Sequence, residues 1–312
     1  MQLFLSGSLA IDRIMTFPGK FQDHILPDKI HMLNVCFLVN GLEERFGGTA
    51  GNIAYNLALL AERPRILASA GKDFGAYRQW LEGHGLTLEH VNFVDDDFTA
   101  AAYITTDMAD NQITGFNPAA MGRRCGFDFS SVTGRPAMAI VSPGNLEEMM
   151  DFPAQWRALG VPYIFDPGQN TTAFSGEQLL SAITGAAMLT TNDYELELIM
   201  NATGLDKAQL LERAGMLVTT LGEEGSRVVR KGEAINVPSV KAAQVADPTG
   251  AGDAFRAGLL KGQALGLGME ECCRLGATCA SFCVEQKGTQ EHTFTLEQFR
   301  ERHSAAFGSC PV

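Results

Sequence analysis

The sequence predicts one α/β domain in which a mostly parallel central sheet carries helices on both faces. Short apolar runs alternate with amphipathic stretches along most of the 312 residues. This alternation is typical of parallel strands that are joined by right-handed helical crossovers. With 46% hydrophobic residues the chain can bury one large core, and its sequence contains no internal repeat or low-complexity linker.

The first strand is predicted over residues 2–8, a short apolar run closed by Gly7. No basic stretch precedes this run, so we expect a strand and not a signal peptide. Asp12 is expected just beyond the tip of the strand, at the edge where α/β sheets bind their ligands. A carboxylate at that place can accept hydrogen bonds from two neighbouring sugar hydroxyl groups, and the plain alternative is an exposed loop acid.

Residues 13–46 show no regular period, because prolines and a glycine interrupt short β-prone pieces such as 34–39. A second β-prone pair follows at 99–106 and 112–116. None of these pieces has the pattern of a core strand.

Strands and helices alternate through the rest of the chain. A glycine-rich turn opens a helix over residues 50–62, and two functions fit this turn: a phosphate cradle, or a surface on which a sugar lies against the backbone while Asn52 offers a donor and an acceptor. The further predicted strands are 65–70, 137–142, 161–165, 186–191 and 216–221, and the further predicted helices are 74–84, 146–159, 194–200, 207–214 and 254–265.

The charge of the chain excludes some classes of partner. A formal net charge of -12 and a pI near 5.0 argue against a nucleic-acid or anionic-membrane binder, because phosphate backbones are bound by clustered Lys and Arg. No apolar stretch of the sequence is long enough to span a bilayer. We therefore expect a soluble, cytoplasmic protein that can still bind a single nucleotide through local dipoles.

The seven cysteines do not suggest a disulfide framework, because their number is odd. Four of them, Cys272, Cys273, Cys279 and Cys283, fall in one apparent helix, where cysteine acts as a small hydrophobe in a reducing cytosol. A metal cluster is the alternative for these four. It is disfavoured because two adjacent cysteines on a helix point to different faces and no histidine lies near them in sequence.

The stretch 247–255 carries the strongest chemical signal. Its small residues form a turn before a helix, and the free N–H groups and helix dipole of such a turn attract phosphate. Gly252 is expected where the chain must approach phosphate closely or adopt a positive φ. The carboxylate of Asp253 would repel phosphate. A useful role for it is therefore to take a proton from the hydroxyl group that attacks the phosphate. The alternative is a simple helix cap, but the full nine-residue run is more specific than the Gly-Ala-Gly-Asp of residues 250–253 alone.

The run 247–255 resembles the C-terminal signature of the ribokinase, or PfkB-type, family of carbohydrate and nucleoside kinases. The run 45–52 resembles the N-terminal signature of the same family. Within the family the chain is most similar to bacterial adenosine kinases. This likeness is carried by four stretches that span nearly the whole chain: 190–195, 219–222, 247–260 and 288–292.

The resemblance implies a ribokinase-like fold, a single domain over residues 1–312 with a small β-sheet lid formed by about 13–46 and 97–117. A lid that excludes water protects the phosphate donor from hydrolysis. The alternative is a hairpin extension used for dimerisation, and since some family members use the lid for both, a homodimer through the lid is also implied.

The resemblance implies the reaction, transfer of phosphate from Mg-ATP to the 5′-hydroxyl of a ribonucleoside, with adenosine as the expected substrate. Asp253 would be the general base, and the backbone amides around the turn would bind the transferred phosphoryl group. These amides belong to Gly250, Ala251 and Gly252.

The resemblance also implies the binding residues. Those for the nucleoside are Ser8, Asp12, Gly48, Asn52, Tyr103, Gln169 and Asn170, with Tyr103 as the candidate to stack on the base and Phe116 as further stacking surface. Those for ATP are Asn192, Thr220, Gly222, Gly225 and Gly252. Glu195 and Asn192 are implied to hold Mg²⁺ through water, and Asp247 a monovalent cation such as K⁺. Without the motif, Glu195 is equally well explained as an acid favoured by the helix dipole.

Three other functions compete with adenosine phosphorylation: a broader nucleoside kinase acting on inosine, guanosine or cytidine, a ribose or fructose kinase, and a kinase-like binding protein without activity. The intact Asp253 counts against the last. A dinucleotide-dependent oxidoreductase is disfavoured because the first strand is not followed by Gly-x-Gly-x-x-Gly.

Overall fold

A computed structural model describes residues 1–25, 31–32, 34–134 and 136–312. The strands of this part of the chain are β1 (Gln2–Ser6), β2 (Ala10–Thr16), β3 (Asn40–Gly47), β4 (Arg65–Gly71), β5 (Val91–Val94), β6 (Ala100–Thr106), β7 (Gln112–Asn117), β8 (Ala137–Val141), β9 (Tyr163–Phe165), β10 (Met188–Asn192), β11 (Met216–Thr220), β12 (Ser226–Arg230) and β13 (Glu233–Val237). Nine of them form one sheet in the order β13-β12-β11-β10-β9-β8-β1-β4-β5, and four form a second sheet in the order β3-β2-β6-β7.

The large sheet confirms the predicted fold class. Its strands from β11 to β5 are all parallel, whereas β12 and β13 continue from β11 as antiparallel strands. The carboxyl ends of the parallel strands therefore meet at one edge, and the loops that follow them build a common surface.

Helices cover both faces of the large sheet. They are α1 (Thr49–Leu59), α2 (Gly75–Gly83), α3 (Leu146–Ala158), α4 (Gly176–Ile183), α5 (Asp193–Thr203), α6 (Lys207–Arg213), α7 (Ala251–Ala264), α8 (Met269–Cys283) and α9 (Leu296–Phe307). Side chains alternate along a strand, so Leu3 and Leu5 pack with α1, α2, α7 and α8, while Phe4 packs with α3 to α6 on the other face.

The second sheet, which we call the lid sheet, is formed by β3, β2, β6 and β7. Within it β2 and β6 are parallel, and the two outer pairs are antiparallel. One face packs on the main body, since Ile11 is 4% exposed and Phe46, its partner on β3, stacks on Tyr77 of α2 with ring centroids 4.5 Å apart. Asp12, one residue along β2, therefore points to the opposite face.

Several predictions about the lid are corrected. Residues 34–39 form no strand, and the strand lies at Asn40–Gly47. Asp12 lies within β2 and not in a loop after β1, because the chain pairs with β3 and β6 directly after the turn at Gly7 to Leu9. The lid sheet thus begins at Ala10, before the predicted limit at 13. Residues 26–30 and 33 of the first predicted lid segment lie outside the described residues.

The predicted cysteine helix is confirmed as α8, and all seven cysteines are free thiols. In the described ranges no group of three or more His, Cys, Asp or Glu side chains is arranged to hold a metal ion. Among those same residues no helix has the length and apolar character needed to cross a bilayer.

Candidate active site

The N-terminus of α7 is built by a glycine in the left-handed conformation. Gly250 caps the helix with φ of 82°, and a Cβ at this residue would lie 2.9 Å from Thr289 Cγ2, so both the conformation and the space require glycine. The first amides of any helix lack partners within it, and they point out of the helix start. The amide of Ala251 already donates to the Pro248 carbonyl at 3.2 Å, which leaves the predicted anion hole to its neighbours.

Gly252 departs from one expectation. Its φ is not positive, and the guanidinium of Arg256 occupies the space that a side chain would fill, so any larger residue would have to displace it. A Cβ at Gly252 would lie 2.5 Å from Arg256 Nη1.

Asp253 lies in the first turn of α7, with its side chain 13% exposed. One of its carboxylate oxygens accepts a hydrogen bond from Asn52 Nδ2 at 2.8 Å. Burial raises the pKa of Asp253 above its ordinary value, although the charge of Arg256 and the bond from Asn52 act in the opposite direction. A carboxylate with a raised pKa, held at the start of a helix, is suited to accept a proton from a hydroxyl group near neutral pH.

Gln290 fixes the orientation of Asn52. Its Nε2 donates to Asn52 Oδ1 at 3.0 Å and also lies 2.6 Å from the Tyr77 hydroxyl, while its Oε1 accepts from Trp80 Nε1 at 3.1 Å. Since the acceptor of the Asn52 amide is bound by Gln290, its NH₂ group must face Asp253. Sequence reasoning gave Gln290 no role, although it lies in the stretch 288–292 that carries part of the family resemblance.

Arg256 and Asp166 form a buried ion pair beside Asp253, and sequence reasoning assigned neither to the site. Asp166 follows β9 and is 1% exposed, and its two oxygens contact the Nε and Nη2 atoms of Arg256, the latter at 2.8 Å. Arg256 Nη1 lies 4.0 Å from Asp253 Oδ1. The available signal was an arginine one helical turn after Asp253 in an otherwise apolar run.

Asp12 lies close to the glycine turn that leads into α1. A Cβ at Gly47 would lie 3.1 Å from Asp12 Oδ2, so the carboxylate rests against this backbone. Burial raises the pKa of Asp12, the charge of Arg45 on the neighbouring strand lowers it, and Asp247 raises it further. A partly buried carboxylate of this kind gains from hydroxyl donors such as the diol of a ribose.

Gly48 and Ser8 connect the turn before α1 to the strand end of β1. Gly48 has φ of 86°, and a Cβ there would lie 2.6 Å from the Ser8 carbonyl oxygen. Ser8 Oγ accepts from the Thr49 amide at 3.0 Å and is buried. These contacts hold the turn in place, so both residues shape the site through the backbone.

Tyr103 lies on the opposite face of the lid sheet from Asp12. It is paired with Arg13 across β6 and β2, and its hydroxyl accepts from Arg13 Nη1 at 2.9 Å. Arg13 in turn bonds Asp73 Oδ2 at 2.9 Å, next to α2. Residues that are paired across neighbouring strands point to the same face, and successive residues along a strand point to opposite faces. Asp12 is paired with Ala102, and Ala102 is paired with Phe116 on β7, so Tyr103 points to the other face.

Phe116 is therefore the aromatic side chain that shares a face with Asp12, and it is 54% exposed. An exposed ring on the same face as a carboxylate, two strands away from it, offers stacking surface to a flat group attached to a sugar.

Gln169 and Asn170 lie in the 3-10 helix Gly168–Ala173, directly after β9 and Asp166. Gln169 is exposed, whereas Asn170 Nδ2 lies 3.5 Å from the Gly144 carbonyl oxygen and 3.4 Å from Met149 Sδ. Both stand at the carboxyl edge of the large sheet.

Asn192 and Glu195 form a capping box at the start of α5. The Asn192 side chain accepts from the Glu195 amide at 2.6 Å, and Glu195 Oε2 accepts from the Asn192 amide at 2.8 Å. This is the helix-start role that was the alternative for Glu195. The negative charge of the Glu195 carboxylate also raises the pKa of Asp253.

Thr220 ends β11, level with Asn192 on β10. The tight turn after it contains Gly222 and Gly225, with φ of 57° and 95°. A Cβ at Gly225 would lie 2.1 Å from the Val237 carbonyl oxygen, while the space beside Gly222 is open. Gly225 thus serves the turn into β12, and Gly222 leaves room next to the strand ends.

Asp247 ties the turn before α7 to the segment after α8. Its Oδ1 accepts from the Thr249 amide at 2.9 Å and its Oδ2 from the Gly288 amide at 3.0 Å. Burial raises the pKa of Asp247, but these hydrogen bonds outweigh it and hold the pKa below its ordinary value. Asp247 is therefore a fixed negative charge.

Comparisons with known proteins identify the family and the fold of the chain. A model of the pfkB family of carbohydrate kinases matches residues 12–295. The chain is 31% identical over 272 residues to a nucleoside kinase of Methanocaldococcus jannaschii, covering 86% of this chain and 89% of the relative. The solved structure of Burkholderia thailandensis nucleoside kinase in complex with inosine has a TM-score of 0.88 at 36% identity and covers 99% of both chains. Its complex with ADP-inosine gives a TM-score of 0.85 at 37% identity, covering 99% of this chain and 97% of that one.

Proposed function

The chain belongs to the pfkB family of carbohydrate kinases and is a phosphotransferase that acts on a hydroxyl group, and we propose that it transfers phosphate from ATP to the 5′-hydroxyl of a ribonucleoside. The observation that carries the proposal is the buried Asp253 carboxylate at the glycine-rich start of α7. The likeness to nucleoside kinases over nearly the whole chain favours a nucleoside over a free sugar.

Each residue near α7 has a distinct part in the proposed mechanism. Asp253 accepts the proton of the attacking hydroxyl, and Asn52 keeps the carboxylate aimed at it. The amides at Gly250 and Gly252 and the positive end of the helix stabilise the negative charge that develops on the transferred phosphoryl oxygens. Bound ATP supplies the activated phosphoryl group.

The residues fit a metal-bound nucleotide. Mg²⁺ keeps several waters and binds proteins through one or two carboxylates together with substrate phosphates, so it needs no cage of protein ligands. Glu195 with Asn192 would hold it through water, and Thr220, Gly222 and Gly225 would border the nucleotide. Asp247 would help to hold K⁺. Activity that survives chelation of divalent ions, or replacement of K⁺ by a bulky organic cation, would remove the corresponding part of this proposal.

The ribose is assigned to Asp12, Asn52 and the backbone around Gly48. The base is assigned to the same face of the lid sheet, where Phe116 offers the stacking surface. Gln169 and Asn170 are proposed as neutral hydrogen-bonding groups for the nucleoside.

Phe116→Ala is expected to weaken nucleoside binding. Stacking of a base on an aromatic side chain contributes about 1–3 kcal/mol, so KM for the nucleoside should rise by roughly 5- to 150-fold while KM for ATP changes little. Tyr103→Ala is the matched control, because that ring faces Arg13 and the main body. Steady-state kinetics of both variants would reject the assignment of the base to Phe116 if the Tyr103 variant loses more nucleoside affinity.

A panel of acceptors tests the substrate class. We expect adenosine and inosine to be phosphorylated with kcat/KM at least about 10–100 times that of ribose or fructose, because a free sugar leaves the stacking surface unused. Removal of the 2′-hydroxyl should cost about 1–3 kcal/mol through the unpaired Asp12, which makes 2′-deoxyadenosine the poorer substrate. Preference for a free pentose or hexose would leave the kinase family intact and overturn the nucleoside assignment. Adenosine as the preferred nucleoside stays a prediction. The inosine-bound relative favours a kinase that accepts more than one purine nucleoside.

The environment of the protein is proposed on two further observations. Seven free thiols fit the reducing cytoplasm, which cell fractionation would check. The lid sheet exposes Leu42 and Ile113, 58% and 46% exposed, and these favour a homodimer through the lid. A monomer in analytical ultracentrifugation at micromolar concentration would argue against the dimer.

A further inference from the structure

Arg256 is shared between two carboxylates at the start of α7. The side chain is 11% exposed, and the Nε and Nη2 atoms of its guanidinium contact the two oxygens of Asp166. The remaining nitrogen, Nη1, lies 4.0 Å from Asp253 Oδ1. Gly252 leaves the space that the guanidinium occupies. The arrangement places one fixed positive charge within 4.0 Å of the proposed base.

Buried charges are retained in proteins when they are paired, and here one cation serves two anions. Asp166 is held at the end of β9, so it fixes the planar guanidinium in a single orientation through a bidentate contact. Without Arg256, Asp253 would face only groups that disfavour its ionised form or are neutral. The protonated carboxyl could not accept a proton.

From this geometry we propose that Arg256 is a positioning residue that keeps Asp253 ionised and oriented. Asp166 carries the opposite charge and so limits how strongly Arg256 stabilises the ionised form of Asp253. The inference rests on the proposed function, in which Asp253 is the general base. It assigns to the ion pair a task in the reaction beyond holding α7 to the sheet.

The groups that bond to Asp253 or interact with its charge come from five parts of the chain besides its own helix. Asn52 on α1 donates to it, and Arg256 on α7 is the cation in contact. The titratable groups whose charge is coupled to that of Asp253 complete its surroundings: Asp166 after β9, Glu195 on α5, Tyr77 on α2 and Cys283 on α8. Of these charged groups only Arg256 favours the carboxylate, so its removal should act in one direction.

The test is the pH dependence of kcat in two neutralising variants. In Arg256→Gln, loss of the positive charge should move the acid limb of the profile to higher pH by about 1–3 units, the usual effect of a close opposite charge. In Asp166→Asn the guanidinium keeps a hydrogen-bond partner but loses a competing anion, so the acid limb should move to lower pH. A purely structural pair would give lower activity in both variants and no opposite shifts.

Arg256→Lys tests the same point by partial rescue, since it keeps the charge without the fork and should place the acid limb between wild type and Arg256→Gln. Arg230→Gln, which breaks an exposed pair on the β12-β13 hairpin, is the matched control and should leave the profile unchanged. Circular dichroism confirms the fold of each variant. If Arg256→Gln fails to fold, the positions of the acid limb in Asp166→Asn and Arg256→Lys still test the proposal.

An active wild-type enzyme whose Arg256 and Asp166 variants shift in the same direction, or do not shift, overturns the inference alone. A wild-type enzyme that phosphorylates no nucleoside overturns the proposed function instead, so the two failures are distinguishable.

Discussion

Asp253→Asn should reduce turnover by about 10²–10⁴-fold, the range for a positioned acid–base group. An asparagine has nearly the shape of aspartate and can still accept the hydrogen bond from Asn52 through its own carbonyl oxygen, so the fold should survive. It cannot take a proton. ATP and nucleoside should therefore bind with dissociation constants close to those of the wild type, as isothermal titration calorimetry would measure.

Asp151→Asn is the matched control, because it makes the same chemical change at a half-exposed carboxylate that pairs with Arg124 on the surface. It should retain wild-type turnover. If purified Asp253→Asn protein turns over at a rate close to wild type, the general base lies elsewhere.

Gly252→Val should lower turnover by about 10²–10³-fold, comparable to the loss of one donor of an oxyanion hole. The added Cβ would lie 2.5 Å from Arg256 Nη1, so the side chain must displace the guanidinium or the helix start, and its methyl groups would intrude on the approach of phosphate. Nucleoside affinity should change little, since Asp12 and Phe116 belong to the lid sheet. Turnover kinetics and nucleoside titration would separate the two effects.

Gly83→Val provides the control for this variant. Gly83 is also helical, and nothing lies within 4 Å of a Cβ built on it, so the same substitution should be tolerated. Equal loss of nucleoside affinity and turnover in Gly252→Val would indicate a folding defect, and unchanged turnover would place the anion hole elsewhere.

The core strands could be predicted because each is a short apolar run between turn residues, and β8 to β11 lie within a few residues of their predicted bounds. In the lid sheet, β6 and β7 lie within about one residue of the predicted β-prone pair, whereas β2 and β3 were not predicted at their observed bounds. The strand Asn40–Gly47 contains two glycines and two glutamates, so its pairing with β2 comes from tertiary contacts that no local pattern reveals.

The site divides in a similar way. Asp253 and the glycine turn could be predicted as site residues because they are contiguous in sequence. The contacts of Gln290 with Asn52 and of Asp166 with Arg256 could not be predicted, because they form only in the fold, across 238 and 90 residues. Local sequence does not separate Tyr103 from Phe116, since both are aromatic and β-prone. The strand register places Phe116, and not Tyr103, on the same face as Asp12.

The central claim is that this chain phosphorylates the 5′-hydroxyl of a ribonucleoside with ATP and uses Asp253 as the base. The most direct test is to incubate purified protein with Mg-ATP and inosine or adenosine and to identify the product by phosphorus NMR and mass spectrometry. The account predicts one equivalent of ADP and a nucleoside 5′-monophosphate with the wild type, and almost none with Asp253→Asn. Phosphate on the 2′- or 3′-oxygen, or ADP release with no phosphorylated nucleoside, would contradict it.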